Sequence, residues 1–458
     1  MPTNIQKNQI TEGIIWRQLL LFFFPILLGT FFQQLYNTID SVIVGQFVGK
    51  EALAAVGGSS AQIVAFVVGF FTGLSSGASV TIAQFFGAKD SRSANKGLHT
   101  AYAIAAFGGL ILTVSGIILT PFLLEMMNTP ADIVADSAVY LRIYFAGIIF
   151  VLIYNMGSAI LRATGDSKRP LYYLIVCCII NIVLDVLFVI VFHMGVMGVA
   201  VATLIAQAVS AVLVTLKLMR SEGILKLSVK QIRFHGSILK MQLKLGLPTG
   251  FEAILFSITN IAIQSAVNTF GTDTTAAWSA YGKLDAIFWM VSTAFGIAIT
   301  TFVGQNYGAG KMDRVRKSTR VCLLMDFIVS AVLVVFLIAA RFLLFRLFTN
   351  DSHVIEIGCD MLVLITPWYI VYVFIEVIAG ALRGVGNVVV PVVITLLGVC
   401  VLRIAWLAAM LKISPTISAI ILSYPVTWVI TALAFIIYYI YITHKTIAGS
   451  SKKHVPKL

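Results

Sequence analysis

The sequence predicts an all-α polytopic membrane protein: twelve transmembrane helices in two pseudo-twofold-related six-helix bundles. Three observations predict it: an extreme composition, twelve apolar runs of spanning length, and an internal repeat at one fixed offset. Of 458 residues, 59% are hydrophobic and 11% charged, and mean hydropathy is +0.98. An average soluble domain is about 25% charged. So few charges cannot cover a soluble globule of this apolarity, and disorder would need low hydrophobicity.

The apolar runs lie near 15–45, 52–84, 96–122, 133–161, 170–193, 196–219, 241–269, 275–304, 318–343, 354–382, 389–411 and 415–443. Each reaches the roughly 20 residues that a bilayer requires. Several are longer, which predicts tilted or bent helices. Pro25 and Pro248 fall inside the first and seventh runs and should kink them. The run 16–29 is not closed by a small-residue cleavage site, so no cleavable signal peptide is expected.

The loops supply orientation. With an even number of spans, 25 Lys and Arg fall on the side of the termini, Arg383 among them. Only Lys50, Arg341, Arg346 and Lys412 fall on the other. Basic residues collect in cytoplasmic loops, so both termini are expected in the cytoplasm of a plasma-membrane protein. The net charge of +13 then reflects this asymmetry, and no nucleic-acid partner is expected. The five cysteines lie in apolar runs without metal spacing and read as small hydrophobes.

The longest charged connection divides the chain into an N-lobe (1–220), a cytoplasmic linker (221–240), a C-lobe (241–445) and a basic tail (446–458). The halves repeat at an offset of 221. Gln84-Phe-Phe-Gly87-Ala88 matches Gln305-Asn-Tyr-Gly308-Ala309; Leu161-Arg162 and Gly165 match Leu382-Arg383 and Gly386; Pro170 matches Pro391. Six spans per half give a parallel repeat about an axis along the membrane normal, an architecture suited to alternating access. No filter motif suggests a channel, and no phosphate loop, metal spacing or nucleophile elbow suggests an enzyme.

Acids deep in spans are costly and mark ion or proton paths. Asp40, Asp185, Glu252, Asp285 and Glu376 qualify, with Asp326 a weaker sixth. In the first span Gln33, Tyr36, Asn37 and Asp40 share one helix face. In the fifth, Asn181 and Asp185 do so; Asn155 lies mid-span in the fourth and Thr203 in the sixth. Two carboxylates with amide and hydroxyl oxygens could ligate sodium at Asp40, Asn181 and Asp185, or share a proton. The plainer reading is polar glue between helices. In the second half Glu252, Asp285, Trp289, Glu376 and Arg403 mark a substrate cavity, with Arg403 or Lys283 expected to neutralise Glu376 or Asp285. Trp278, Trp289, Trp368, Trp406 and Trp428 could line a cavity for flat cations. Gly69, Gly73 and Gly77, spaced by four, point to a close helix contact.

With these residues in view, the chain resembles the multidrug and toxic compound extrusion (MATE) family. The resemblance rests on Leu35-Tyr-Asn-Thr-Ile-Asp40-Ser-Val-Ile-Val-Gly45, the duplicated Gln-x-x-Gly-Ala, and Leu161-Arg162-Ala-Thr-Gly165-Asp166. It implies two six-helix lobes in a V, exporting small organic cations in exchange for protons or sodium, with no cofactor besides that ion. It also implies an N-lobe cation site, carried onto Asp40, Asn155, Asn181, Asp185 and Thr203 with Gln33 and Tyr36 nearby. In the C-lobe the chain departs from one branch of the family, because Glu252 follows Pro248 too closely; Glu376 fits better. A monomer in contact with membrane lipid is expected. The alternative is a lipid-linked oligosaccharide flippase of the same superfamily.

Overall fold

The computed structural model describes residues 9–449, and side chains over 10–443. Lys7 and most of the basic tail expected at 446–458 lie outside the described residues. Twelve helices among the described residues are long and apolar enough to span a membrane. They are α1 (Ile15–Phe47), α2 (Lys50–Gly87), α3 (Ser91–Met126), α4 (Val134–Ala163), α5 (Lys168–Val191) and α6 (Gly195–Met219), then α7 (Gly236–Asn268), α8 (Thr272–Gly308), α9 (Met312–Arg346), α10 (Ser352–Gly384), α11 (Val389–Ile413) and α12 (Ile417–Thr443). Every expected span is present. Large apolar side chains such as Ile118, Val335 and Leu343 are about two-thirds exposed (69%, 67% and 67%), which only a lipid surround tolerates on this scale.

Several helices are less regular than their apolar runs suggest. Helices α1 and α7 run on through Pro25 and Pro248. Helix α2 pauses at Gly58, and α10 tightens into a 3₁₀ turn at Thr366–Trp368, where Pro367 removes a backbone donor. A stretch of π-helix ends α5 at Val186–Val191, and another interrupts α11 at Leu396–Val401. Such bulges concentrate at functional sites. One follows Asp185 directly; the other ends two residues before Arg403.

The described residues form two compact units, one of residues 21–251 and one of residues 9–20 with 252–449. In the first, hereafter the N-terminal unit, Leu74, Ala78, Leu98, Ile148, Leu152 and Ile160 form the core. Gly73 and Gly77 of α2 pack directly on Gly246 and Gly250 of α7; a Cβ at Gly73 would overlap the Gly250 nitrogen, and one at Gly77 the Gln242 carbonyl oxygen. The connection after α6 is strapped to α3: Asn95 Nδ2 donates to the Ile224 and Lys226 carbonyls (3.1 Å each), and the Ser228 N–H donates to His99 Nε2 (3.0 Å). In the second, C-terminal unit, Phe288 of α8 stacks on Tyr369 of α10 with ring centroids 3.9 Å apart, beside Leu337, Phe345, Leu362 and Trp428.

The repeat is visible in backbone geometry. Helix α2 ends with Lys89 N–H on Phe86 O (3.1 Å) and Asp90 N–H on Phe85 O (3.0 Å); α8 ends with Gly310 N–H on Tyr307 O and Lys311 N–H on Asn306 O, both 2.9 Å. This closure needs one residue in the left-handed region. Gly310 occupies it at φ 71°, whereas Lys89 must do so at φ 59°. A non-glycine residue there costs about 1 kcal/mol. Lys89→Gly is therefore expected to raise the thermal midpoint of the detergent-solubilised protein, and Gly310→Lys to lower it. Asp90 then caps α3, and the hydrogen bonds from Ser93 hold its carboxyl below the usual range.

Candidate functional site

Helices α1, α5 and α6 bring a polar cluster together inside the N-terminal unit. Asp40, Asn181, Asp185, Thr203, Tyr36 and Gln207 are all less than a tenth exposed. Asn181 Nδ2 donates to Thr203 Oγ1 (3.4 Å), and that hydroxyl donates to Asp40 Oδ2 (3.5 Å). The Asp185 carboxyl adjoins that of Asp40. Gln207 Nε2 donates to the Tyr36 hydroxyl (3.3 Å).

Donors do not satisfy this cluster. Asp40 Oδ1, Asn181 Oδ1 and both oxygens of Asp185 are buried without a hydrogen-bond partner. Buried polar atoms are normally paired, so these four acceptors stand out in the cluster. The groups satisfy one another in part, through the Asn181–Thr203–Asp40 chain and the adjoining Asp40 and Asp185 carboxyls. Two adjoining carboxyls have the chemistry to share a proton, and carboxylate, amide and hydroxyl oxygens are the ligand type that hard cations take.

Two other residues expected at this site stand differently. Gln33 is exposed and Asn155 is half-buried; among the described residues no hydrogen bond ties either to the cluster. Helix α4 instead brings Tyr140 and Tyr144, stacked at 6.2 Å, alongside Tyr36. Gln207 was also missed, although it follows Thr203 by four residues, the spacing that puts two side chains on one helix face.

The C-terminal unit holds a cavity of about 300 Å³ lined by Trp278, Tyr281, Asp285, Trp289, Arg403 and Tyr424, among others. Asp285 accepts from the hydroxyls of Tyr281 (3.3 Å) and Tyr369 and from Trp289 Nε1 (2.7 Å). Arg403 is fully buried, donates Nη2–H to Thr427 Oγ1 (2.9 Å) and lies 4.0 Å over the Tyr424 ring. The other Trp residues go elsewhere: Trp428 is core, Trp368 is exposed, and Trp406 donates to the Ala419 carbonyl.

The structure corrects the expected partner of Glu376, while Arg403 shares the cavity with Asp285 and interacts with its charge. Glu376 is bound by Arg383 Nη2 at 2.9 Å, not by Arg403 or Lys283. Lys283 is exposed. Arg383 sits in the last turn of α10, seven residues on from Glu376, and folds back along the helix. The apolar run 354–382 stops one residue before it, which in sequence alone places Arg383 in a loop. Gly296 of α8 makes room for Glu376: a Cβ there would overlap Oε1. Glu252, half-buried beside Thr395, and Glu376 do not line the cavity that Asp285, Trp289 and Arg403 share.

The MatE family model matches residues 25–187 and 248–407. The chain is 30% identical over 406 residues, 87% of each protein, to the probable multidrug resistance protein YoeA of Bacillus subtilis. It is 27% identical over 420 residues to the probable multidrug resistance protein NorM of Thermotoga maritima, covering 89% of this chain and 88% of the relative. Its fold matches a MATE transporter solved in a bent conformation, with TM-score 0.91, 20% identity, and coverage of 98% and 99%. It also matches a superfamily transporter from Pyrococcus furiosus whose pocket is described as reversed in polarity, with TM-score 0.89, 21% identity and the same coverage. The twelve apolar helices and these matches make this a multi-pass membrane protein; the chain belongs to the MATE family of multidrug efflux transporters.

Proposed function

We propose that this protein exports small organic cations across the plasma membrane by alternating access, in exchange for protons or sodium. The driving cation binds at Asp40, Asn181 and Asp185, with Thr203 and Tyr36 beside it and Asn155 and Gln33 nearby. The observation that carries this reading is the group of four buried, unpartnered acceptor oxygens in the N-terminal unit. The organic cation is drawn to the aromatic C-terminal cavity, where ring faces and Asp285 favour delocalised positive charge. Glu252 adds an acidic group beyond that cavity, where Glu376 is paired with Arg383. The excess of basic residues on one side supports cytoplasmic termini. The proposed unit is a monomer in lipid, organised as six-span lobes over 1–220 and 241–445.

The test is accumulation of ethidium in cells stripped of their own pumps. Expression of this chain is expected to lower accumulation several-fold, and a protonophore or removal of sodium to restore it. Unchanged ethidium levels, together with transport that responds only to anionic lipid-linked sugars, would transfer the protein to the flippase reading.

A further inference from the structure

Helix α9 carries a group that this exchange leaves unused. Asp326 is fully buried. It stands 14 residues beyond Met312 in a helix of 35 residues, about 21 Å along the axis and so near the middle of the span. Ser318, Cys322, Asp326 and Ser330 recur every four residues and all are fully buried. They form one stripe on the side of α9 that packs against α8 and α10.

The Ser330 hydroxyl donates to Asp326 Oδ1 at 3.2 Å. Oδ2 is buried with no partner, as is Ser318 Oγ. The titratable groups that face Asp326 are the Cys322 thiol on its own helix and Glu376 on α10, with Arg383 held to Glu376 at 2.9 Å. Among the described residues, the charged groups that influence Asp326 include none from α8. Glu376 has its arginine; Asp326 has only a hydroxyl.

An ionised carboxylate so placed costs several kcal/mol, and Glu376 adds to that cost, so a cation must accompany it. One carboxyl and one hydroxyl are too few oxygens for a metal cation, which takes about six. Among the described residues no three His, Cys, Asp or Glu stand together as metal ligands. A proton needs a single oxygen, and Oδ2 is free to take it.

We propose that Asp326 is a second proton-binding site, housed wholly in the C-terminal unit and separate from Asp40 and Asp185. The proton comes from water and returns to water; only an O–H bond forms and breaks. The site does not depend on which ion drives the N-terminal cluster.

Infrared difference spectra of the full chain in lipid, acid minus alkaline, read protonated carboxyl groups directly. Asp326→Asn is expected to delete one carboxyl C=O band. The double variant Asp40→Asn/Asp185→Asn should retain that band. Ser330→Ala should keep the band but shift its frequency, because the hydrogen bond to Oδ1 is gone. Spectra of Asp326→Asn and Ser330→Ala that match the parent would overturn the proposal. So would a band lost only in the Asp40/Asp185 double variant, whatever that variant does to transport.

Discussion

Asp40→Asn is expected to abolish gradient-driven efflux while leaving the protein folded and inserted. The asparagine keeps the size of the side chain and can still accept from the Thr203 hydroxyl, which now lies 3.5 Å from Asp40 Oδ2. What it loses is charge. Antiport requires the driving cation to bind differently in the two states, and that difference is a coupling free energy of about 1–3 kcal/mol, or about 5- to 150-fold in affinity. Without it, accumulation against a gradient in proteoliposomes should fall by about the same factor, while passive exchange of bound ethidium continues. Asp185→Asn should behave likewise, since both of its oxygens are buried without a hydrogen-bond donor and the substitution removes the same charge. Asn181→Ala should lose less, because it removes a neutral ligand. Imposing a proton gradient and a sodium gradient separately identifies the ion. Wild-type efflux in both Asp→Asn variants would eliminate the N-terminal cluster as the coupling site and move attention to Glu376 and Asp285.

The second large effect is on folding. Gly77→Leu is expected to remove most of the monodisperse protein from size-exclusion profiles, and Gly73→Ala to lower the thermal midpoint clearly. At both positions the nearest atoms are backbone atoms of α7, so no side chain can swing aside. Overpacking a tight contact costs about 1–3 kcal/mol, and more when backbone must move. Gly57→Ala is the control, because a Cβ there meets nothing within 4 Å. A Gly77→Leu protein with parental yield and midpoint would show that α2 and α7 do not need this approach.

The twelve spans were legible because a bilayer imposes one simple condition, about 20 apolar residues per crossing, that holds regardless of what the helices touch. The repeat was legible for a related reason. Gly310, Gly165 and Gly386 sit at positive φ (71°, 98° and 88°), so helix-ending turns recur at the same offset in sequence and in backbone. Asp40, Asn181, Asp185 and Thr203 could be named as one cluster because intramembrane carboxylates are costly and helical spacing shows which neighbours share their face.

The choice of partners was not legible. Arg383 bonding Glu376 depends on a long side chain folding back two helical turns, and spacing along one helix does not rank that against Lys283 or Arg403 on other helices. Asn155, placed mid-span, and Gln33, on the face of α1 that carries Asp40, were expected at the cluster, yet one is half-buried and the other exposed. The rotation of a helix about its axis is set by how its ridges pack against its neighbours. An all-apolar helix carries little amphipathic signal from which to read that rotation. The sequence by itself therefore determined how often the chain crosses the membrane and which groups are too costly to be idle. Only the tertiary structure decided which of those groups meet, because that choice belongs to side-chain packing between helices.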